Sequence, residues 1–393
     1  MKILSILIDM LRPNLMNIFN EKVKEFELDK ELRKIGGTVF TNCFSPSPDT
    51  PRSFGALWSG LTPMHNGCDK RIKYPKHYLN SNNEHMLQVL KKDGYSFNFF
   101  IKETKRKCGL LPKGFEEIGN HNSSFNLKSY LDKIEICEKS FTHIDLSDFH
   151  YANDDYSHNY LATKVGYNKI ASAFKIINQK LSISEFDIVI IFSDHGHKLD
   201  IERRKQPKYK LLDRDRSNIF MQIKRKDDNT FEKDHKLCAI YDVFPTIMEL
   251  TQTNTKTRLD GISLLNKKEH DYILAEDHFT FSPKHNQEID LWAVIKKDGF
   301  YFRTTDNYYF KNESAFTELP KELDRLLSNN ASRFAESQKE REILIEYNTM
   351  NRDNKTHSDG TKRFDKLRIK YINIPYQLFN RVFLQNWKYF IFK

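Results

Sequence analysis

Two stretches of the chain are apolar at almost every position and each runs straight into an acid. Residues 3–8, Ile-Leu-Ser-Ile-Leu-Ile, precede Asp9, and residues 186–192, Phe-Asp-Ile-Val-Ile-Ile-Phe, precede Ser193-Asp194-His195. Runs this short and this rich in Ile and Val predict strands covered on both faces rather than strands with one wet side. Between them, Val165, Ile170, Ala173, Phe174 and Ile177 fall at helical spacing within Thr163–Leu181, and residues 84–92 predict a shorter helix that stops at Asp93-Gly94.

Helices alternating with buried strands predict an α/β domain with a mostly parallel central sheet between helices. In such a sheet ligands bind beyond the carboxyl ends of the strands, which is where Asp9 and Asp194 would stand. After Gly261 the pattern changes. Residues 291–303, Leu-Trp-Ala-Val-Ile-Lys-Lys-Asp-Gly-Phe-Tyr-Phe-Arg, predict a hairpin turning at Asp298-Gly299, with another aromatic strand after Asp306-Asn307. The expected organisation is therefore a catalytic domain over 1–265, a small antiparallel subdomain over 266–350, and a tail over 351–393. No internal repeat and no low-complexity linker interrupts it.

Composition narrows the class. At 39% hydrophobic and 30% charged residues the chain is neither disordered nor membrane-spanning, and no apolar run reaches the roughly 18 residues of a membrane helix. The N-terminal apolar run is too short for a signal peptide and has no small-residue cleavage site. The five cysteines, Cys43, Cys68, Cys108, Cys137 and Cys238, are scattered and odd in number, which argues against a disulfide framework or a thiolate zinc site. A cytoplasmic protein is expected.

The net charge of +10 is concentrated at the end: residues 352–393 hold ten Lys or Arg against three Asp, a local excess of seven. Residues 366–393 interleave these bases with aromatic residues. Packing of the aromatics onto the catalytic domain is the plain reading. The functional one is an interfacial anchor at the inner face of an anionic membrane, presenting the enzyme to a lipid-linked substrate. Nucleic acid is the weaker partner, since no recognised nucleic-acid motif accompanies the charge.

The most informative segment runs from Ser45 to Gly67, Ser-Pro-Ser-Pro-Asp-Thr50-Pro-Arg-Ser53-Phe-Gly-Ala-Leu-Trp-Ser-Gly60-Leu-Thr-Pro-Met-His-Asn-Gly67. It resembles the signature of the sulfatases in the alkaline phosphatase superfamily, whose nucleophile sits ten residues before a Gly. Counting back from Gly60 gives Thr50. Ser53 matches a serine of the signature; the family's arginine at the next place is Phe54 here, with Arg52 as the stand-in. Three further segments resemble the family in the right order. They are Ile8-Asp9-Met-Leu-Arg-Pro-Asn14, Phe192-Ser-Asp194-His195-Gly196-His197, and Tyr241-Asp-Val-Phe-Pro-Thr246 followed by Gly261-Ile-Ser-Leu264.

The resemblance implies a metal-dependent hydrolase or transferase with a divalent cation held by Asp9, Thr50, Asp194 and His195. Three oxygens and one nitrogen suit Zn²⁺ or Mn²⁺ best, with Ca²⁺ or Mg²⁺ less well matched because Asp9 is followed by Met10 rather than a second acid. The formylglycine precursor Cys/Ser-x-Pro-x-Arg is absent, and position 50 is already Thr. A Thr nucleophile with this ligand set is similar to the phosphoethanolamine transferases and lipoteichoic acid synthases. The expected chemistry is therefore hydrolysis or transfer of a phosphate ester, small, glycan-borne or lipid-linked, through a covalent Thr50 intermediate. The alternatives are a sulfate-ester hydrolase without formylglycine and an inactive binding protein.

The resemblance also implies a substrate-binding histidine, for which His150 stands first and His143 second, and a base after the second metal motif, either Lys208 or Lys210. Asp154 and His158 have the Asp-x-x-x-His spacing of a second metal site in the two-metal phosphodiesterases, with His278 or His285 as a third ligand. Each residue has a plainer reading. Asp9 could cap a helix, Asp194 could sit in a solvated turn, and Thr50 before Pro51 could be a helix N-cap.

Overall fold

A computed structural model describes residues 1–68, 79, 82–101, 112, 115, 126–156, 158–199, 212, 214–279, 289–297 and 299–304. The chain divides into two units, Met1–Arg341 and Glu342–Lys393, and every described residue lies in the first. The tail expected at 351–393 lies outside the described residues.

The strands are β1 (Lys2–Ile8), β2 (Gly37–Phe44), β3 (Ser96–Phe100), β4 (Ser140–Leu146), β5 (Ile188–Phe192), β6 (Met221–Arg225) and β7 (Phe231–Ala239), in the order β3-β4-β1-β5-β6-β2-β7. Only β6 opposes its neighbours, β5 and β2; the pairs β3–β4, β4–β1, β1–β5 and β2–β7 are parallel. A second sheet, β10-β9-β8, is antiparallel and built from β8 (Ile273–Phe279), β9 (Ile289–Ile295) and β10 (Phe300–Thr304). The mostly parallel sheet, the late antiparallel one and the hairpin between β9 and β10 are as the pattern predicts.

The apolar runs are explained by two cores. On β1, Ile3 and Leu7 pack into one core and Leu4, Ile6 and Ile8 into the other; on β5, Ile188, Ile190 and Phe192 face the first and Val189 and Ile191 the second. The period of two survives, but both faces are covered, so nearly every position is apolar. The first core is roofed by Phe54, Leu57 and Trp58 of the helix Thr50–Ser59 and by the helices Met86–Lys92 and Val243–Thr251. The second is roofed by the helices Glu27–Ile35 and Tyr160–Leu181. The long helix begins three residues before the expected Thr163, because the Asn159 side chain accepts from Ala162 N at its start.

The carboxyl ends of β1, β2, β4 and β5 therefore emerge on one edge of the sheet and deliver Asp9, the turn leading to Thr50, the helix carrying His150, and Asp194-His195. Among the described residues no helix is long and apolar enough to cross a membrane. Cys43, Cys137 and Cys238 are free thiols.

Candidate active site

Asp9, Asp194 and His195 meet at this edge, with one ligand atom from each lying within 4.8 Å of the others. All three are buried; Asp9 and Asp194 have no exposed surface at all. Asp194 Oδ1 accepts from His195 N (2.9 Å) and from Met10 N (3.1 Å). Met10 takes a left-handed backbone, φ 67°, to turn its amide there. Asp194 Oδ2 is buried, accepts no hydrogen bond among the described residues, and lies 3.6 Å from His195 Nε2.

His195 Nδ1 stands 2.8 Å from Gly196 O. A carbonyl only accepts, so Nδ1 carries the proton and Nε2 is the ring nitrogen that faces Asp194 Oδ2. Two buried carboxylates, one of their oxygens without a hydrogen-bond donor, are costly unless a cation joins them. The residues fit a divalent metal ion.

Gly196 serves the same loop by its size. Its N donates to Arg216 O at 2.8 Å, and a Cβ there would come 2.0 Å from Asp215 O. Asp215 is held by Arg12 Nη2 at 3.0 Å and by Asn14 Nδ2 at 2.9 Å. The Arg-Pro-Asn after the first metal motif thus braces the loop of the second.

Thr50 opens the helix Thr50–Ser59, and its Oγ1 lies 3.4 Å from His195 Nε2. The N-cap is Asp49, not Thr50: Asp49 Oδ1 accepts from Arg52 N at 3.2 Å. Capping therefore falls to the neighbouring acid, and the Thr50 hydroxyl is left to face His195. Ser53 is buried, with Oγ 2.7 Å from Asp49 O, 3.2 Å from Ser47 O and 2.7 Å from Ser45 Oγ, so it braces the turn.

Arg52 is fully buried, its guanidinium on Asp49 and Asp277. Burial disfavours its charge, but the two carboxylates outweigh that and hold the guanidinium above its ordinary value. The helix ends at Gly60 (φ 66°), where a Cβ would meet Phe244 at 2.9 Å. Gly60 O accepts from Asp260 N and Gly261 N, which ties the late Gly261 segment to the far end of the nucleophile helix. The ten-residue spacing is thus the length of one helix and its left-handed cap.

His150, on the helix Asp148–Asp155, is 34% exposed and places Nδ1 3.1 Å from Asp9 Oδ2 and Nε2 3.3 Å from Asp154 Oδ2. His143, the second candidate, lies inside β4. Its Nδ1 is 3.0 Å from Ser5 Oγ and its ring packs on Phe54 and Trp58, so it belongs to the core. His158 Nε2 is 3.8 Å from Asp154 Oδ1. Among the described residues the group that could hold a metal ion is Asp9, Asp194 and His195, and Asp154 and His158 do not form a second one. Lys208, Lys210, His285 and the side chain of His278 lie outside the described residues.

The structure adds residues that the pattern did not single out. Arg216 Nη2 reaches Pro48 O at 3.3 Å while its own carbonyl holds Gly196 N. Asp49 and Asp277 flank Arg52. Asp49 was legible as an acid before Thr50-Pro51, a helix-start pattern; Arg216 and Asp277 had no local signal because the residues their side chains reach, Pro48 and Arg52, lie 168 and 225 positions away.

Residues 2–165 match the sulfatase family model. No curated protein matches the chain. Among solved structures, a 2-O GAG sulfatase superposes with a TM-score of 0.64 at 15% identity, covering 86% of this chain and 93% of its own. The phosphonate monoester hydrolase of Agrobacterium radiobacter gives 0.57 at 10% identity, covering 84% and 96%. That of Silicibacter pomeroyi gives 0.56 at 11% identity, covering 86% and 95%. Residues 2–165 thus match the sulfatase family, and the fold around them is the alkaline-phosphatase-like fold of the sulfatases.

Proposed function

We propose that the chain is a metal-dependent ester hydrolase or transferase in which Thr50 attacks a phosphate ester. The observation that carries this is the 3.4 Å approach of Thr50 Oγ1 to His195 Nε2, which sets a hydroxyl against the buried Asp9–Asp194–His195 group. Those three residues and Thr50 would hold Zn²⁺ or Mn²⁺ in preference to Ca²⁺ or Mg²⁺. When bound, the cation supplies Lewis acidity that favours the Thr50 alkoxide and offsets charge on the transferred group.

The chain's own residues do the rest. The Asp49 cap orients the first helical turn, and the helix N-terminus favours an anionic group beside Thr50. Thr50 Oγ1 forms a bond to phosphorus as the ester oxygen leaves, and water or an acceptor hydroxyl then displaces the Thr50 oxygen. His150 holds Asp9 in place through Nδ1 and stands half-exposed beside it, where a substrate oxygen would enter.

A sulfate ester is the second reading, favoured by the family match over residues 2–165. Position 50 is Thr and cannot mature into formylglycine, which favours phosphate. The intact buried acid–histidine group speaks against an inactive binding protein.

The test is turnover of 4-nitrophenyl phosphate, bis(4-nitrophenyl) phosphate, 4-nitrophenyl phenylphosphonate and 4-nitrophenyl sulfate. Chelator should abolish activity, and Mn²⁺ or Zn²⁺ should restore it on a phosphorus ester. Activity on the sulfate alone would select the second reading, and chelator-insensitive turnover would overturn the metal-dependent one.

A further inference from the structure

Arg52 joins the nucleophile turn to the small antiparallel sheet. Its Nε donates to Asp49 Oδ2 at 2.9 Å, and its Nη2 donates both to Asp49 Oδ2 and to Asp277 Oδ1. Asp277 lies on β8 and is 1% exposed. The backbone of the same strand grips the turn as well, for Glu276 N donates to Pro46 O at 2.8 Å. Asp49 in turn caps the helix that Thr50 opens.

We propose that Asp277 is a positioning residue for Thr50: through Arg52 and Asp49, β8 fixes the first turn of the nucleophile helix and the direction of Thr50 Oγ1. This rests on the reading of Thr50 as nucleophile. A guanidinium is planar with its donors in a rigid fork, so two carboxylates hold its plane where one would leave it free to rotate. The fork then fixes the Asp49 carboxylate, whose other oxygen receives Arg52 N. It also keeps the Asp49 charge paired beside a site that must admit an anion. The small sheet thereby takes part in catalysis without touching substrate. A nucleophile displaced by about 1 Å loses on the order of 100-fold in rate.

Removing Asp277 alone would strand the buried Arg52 charge, whereas replacing both with apolar residues strands neither, and Asp49, with 14% of its side chain exposed, keeps contact with solvent when Arg52 is gone. The test is therefore Arg52→Met/Asp277→Leu in the full chain, assayed on whichever 4-nitrophenyl ester the parent protein turns over, with Thr50→Ala alongside. The expected result is a melting temperature and metal content close to the parent, kcat lower by at least tenfold and KM changed by less than threefold. A folded double variant with kcat within twofold of the parent overturns the inference. Should that variant not fold, Arg52→Lys keeps the charge but not the fork, and is expected to lose at least tenfold in kcat; kcat within twofold overturns the inference equally. An inactive Thr50→Ala beside a fully active double variant removes the positioning role alone, whereas an active Thr50→Ala removes the nucleophile reading and this inference with it.

Discussion

Thr50 Oγ1 lies 3.4 Å from His195 Nε2 although 145 residues separate them. The contact exists because β2 and β5 run in the same direction and end at the same edge of the sheet, separated by the opposed β6.

The two acids of the site should be separable by metal content. Asp194→Asn keeps the shape and, with its oxygen at Oδ1, the acceptor for Met10 N and His195 N, but replaces the buried Oδ2 with an amide nitrogen, so bound divalent metal should fall well below one per chain with little loss of fold. Asp9→Asn should do the same. Elemental analysis of the purified variants checks both, and unchanged stoichiometry would move the metal elsewhere.

Gly196→Ala should disturb the same loop by crowding. Its Cβ would stand 2.0 Å from Asp215 O, a backbone atom, so the Arg214–Ser217 helix must shift. Overpacking of this kind costs roughly 1–3 kcal/mol. Because Arg216 also reaches Pro48 O, activity should fall along with melting temperature. Calorimetry and steady-state rates measure the two.

Of the seven strands of the central sheet, β1 and β5 were legible, because burial on both faces left them almost wholly apolar. β4 and β7 were not, for opposite reasons. β4 buries Thr142, His143 and Asp145 in its interior, and β7 is an edge strand whose first six residues, Phe-Glu-Lys-Asp-His-Lys, are all partly or largely exposed. Of the site, Asp9, Asp194 and His195 could be placed from strand ends, and Thr50 through the resemblance to the sulfatase signature, ten residues before Gly60. The cap was read as Thr50 before Pro51, a residue type that starts helices; the geometry gives it to Asp49 instead. Asp277 was beyond reach, because its role lies in a guanidinium 225 residues away.

His85 should make stability depend on acid. It caps the helix Met86–Lys92 by accepting from Gln88 N through Nδ1. Burial pulls its pKa down to about 3 from an ordinary 6.5, against a weaker upward pull from Glu84. The unfolded chain takes up this proton below about pH 6.5 and the folded one does not until about pH 3. The stability tied to neutral His85 is thus present above pH 6.5 and lost as pH falls through that window, by on the order of a few kcal/mol. His85→Asn keeps a capping acceptor without the titration. Its melting temperature should decline less than the parent's between pH 7 and pH 4, and parallel declines would remove His85 as the cause.

The covalent role of Thr50 is tested most directly by trapping the intermediate. Thr50→Ala removes the hydroxyl but leaves Asp9, Asp194 and His195, so turnover should fall by at least ~10³-fold while fold and most metal affinity remain. Ser53 is the rival three residues on, and its hydroxyl is occupied with Ser45, Ser47 and Asp49. Protein quenched during turnover of a slow phosphate ester should carry one added phosphoryl group. Fragment mass spectra should place that group on Thr50 and not on Ser53. An unmodified Thr50 in the quenched protein, together with near-normal turnover by Thr50→Ala, would contradict the account and leave an activated water as the nucleophile.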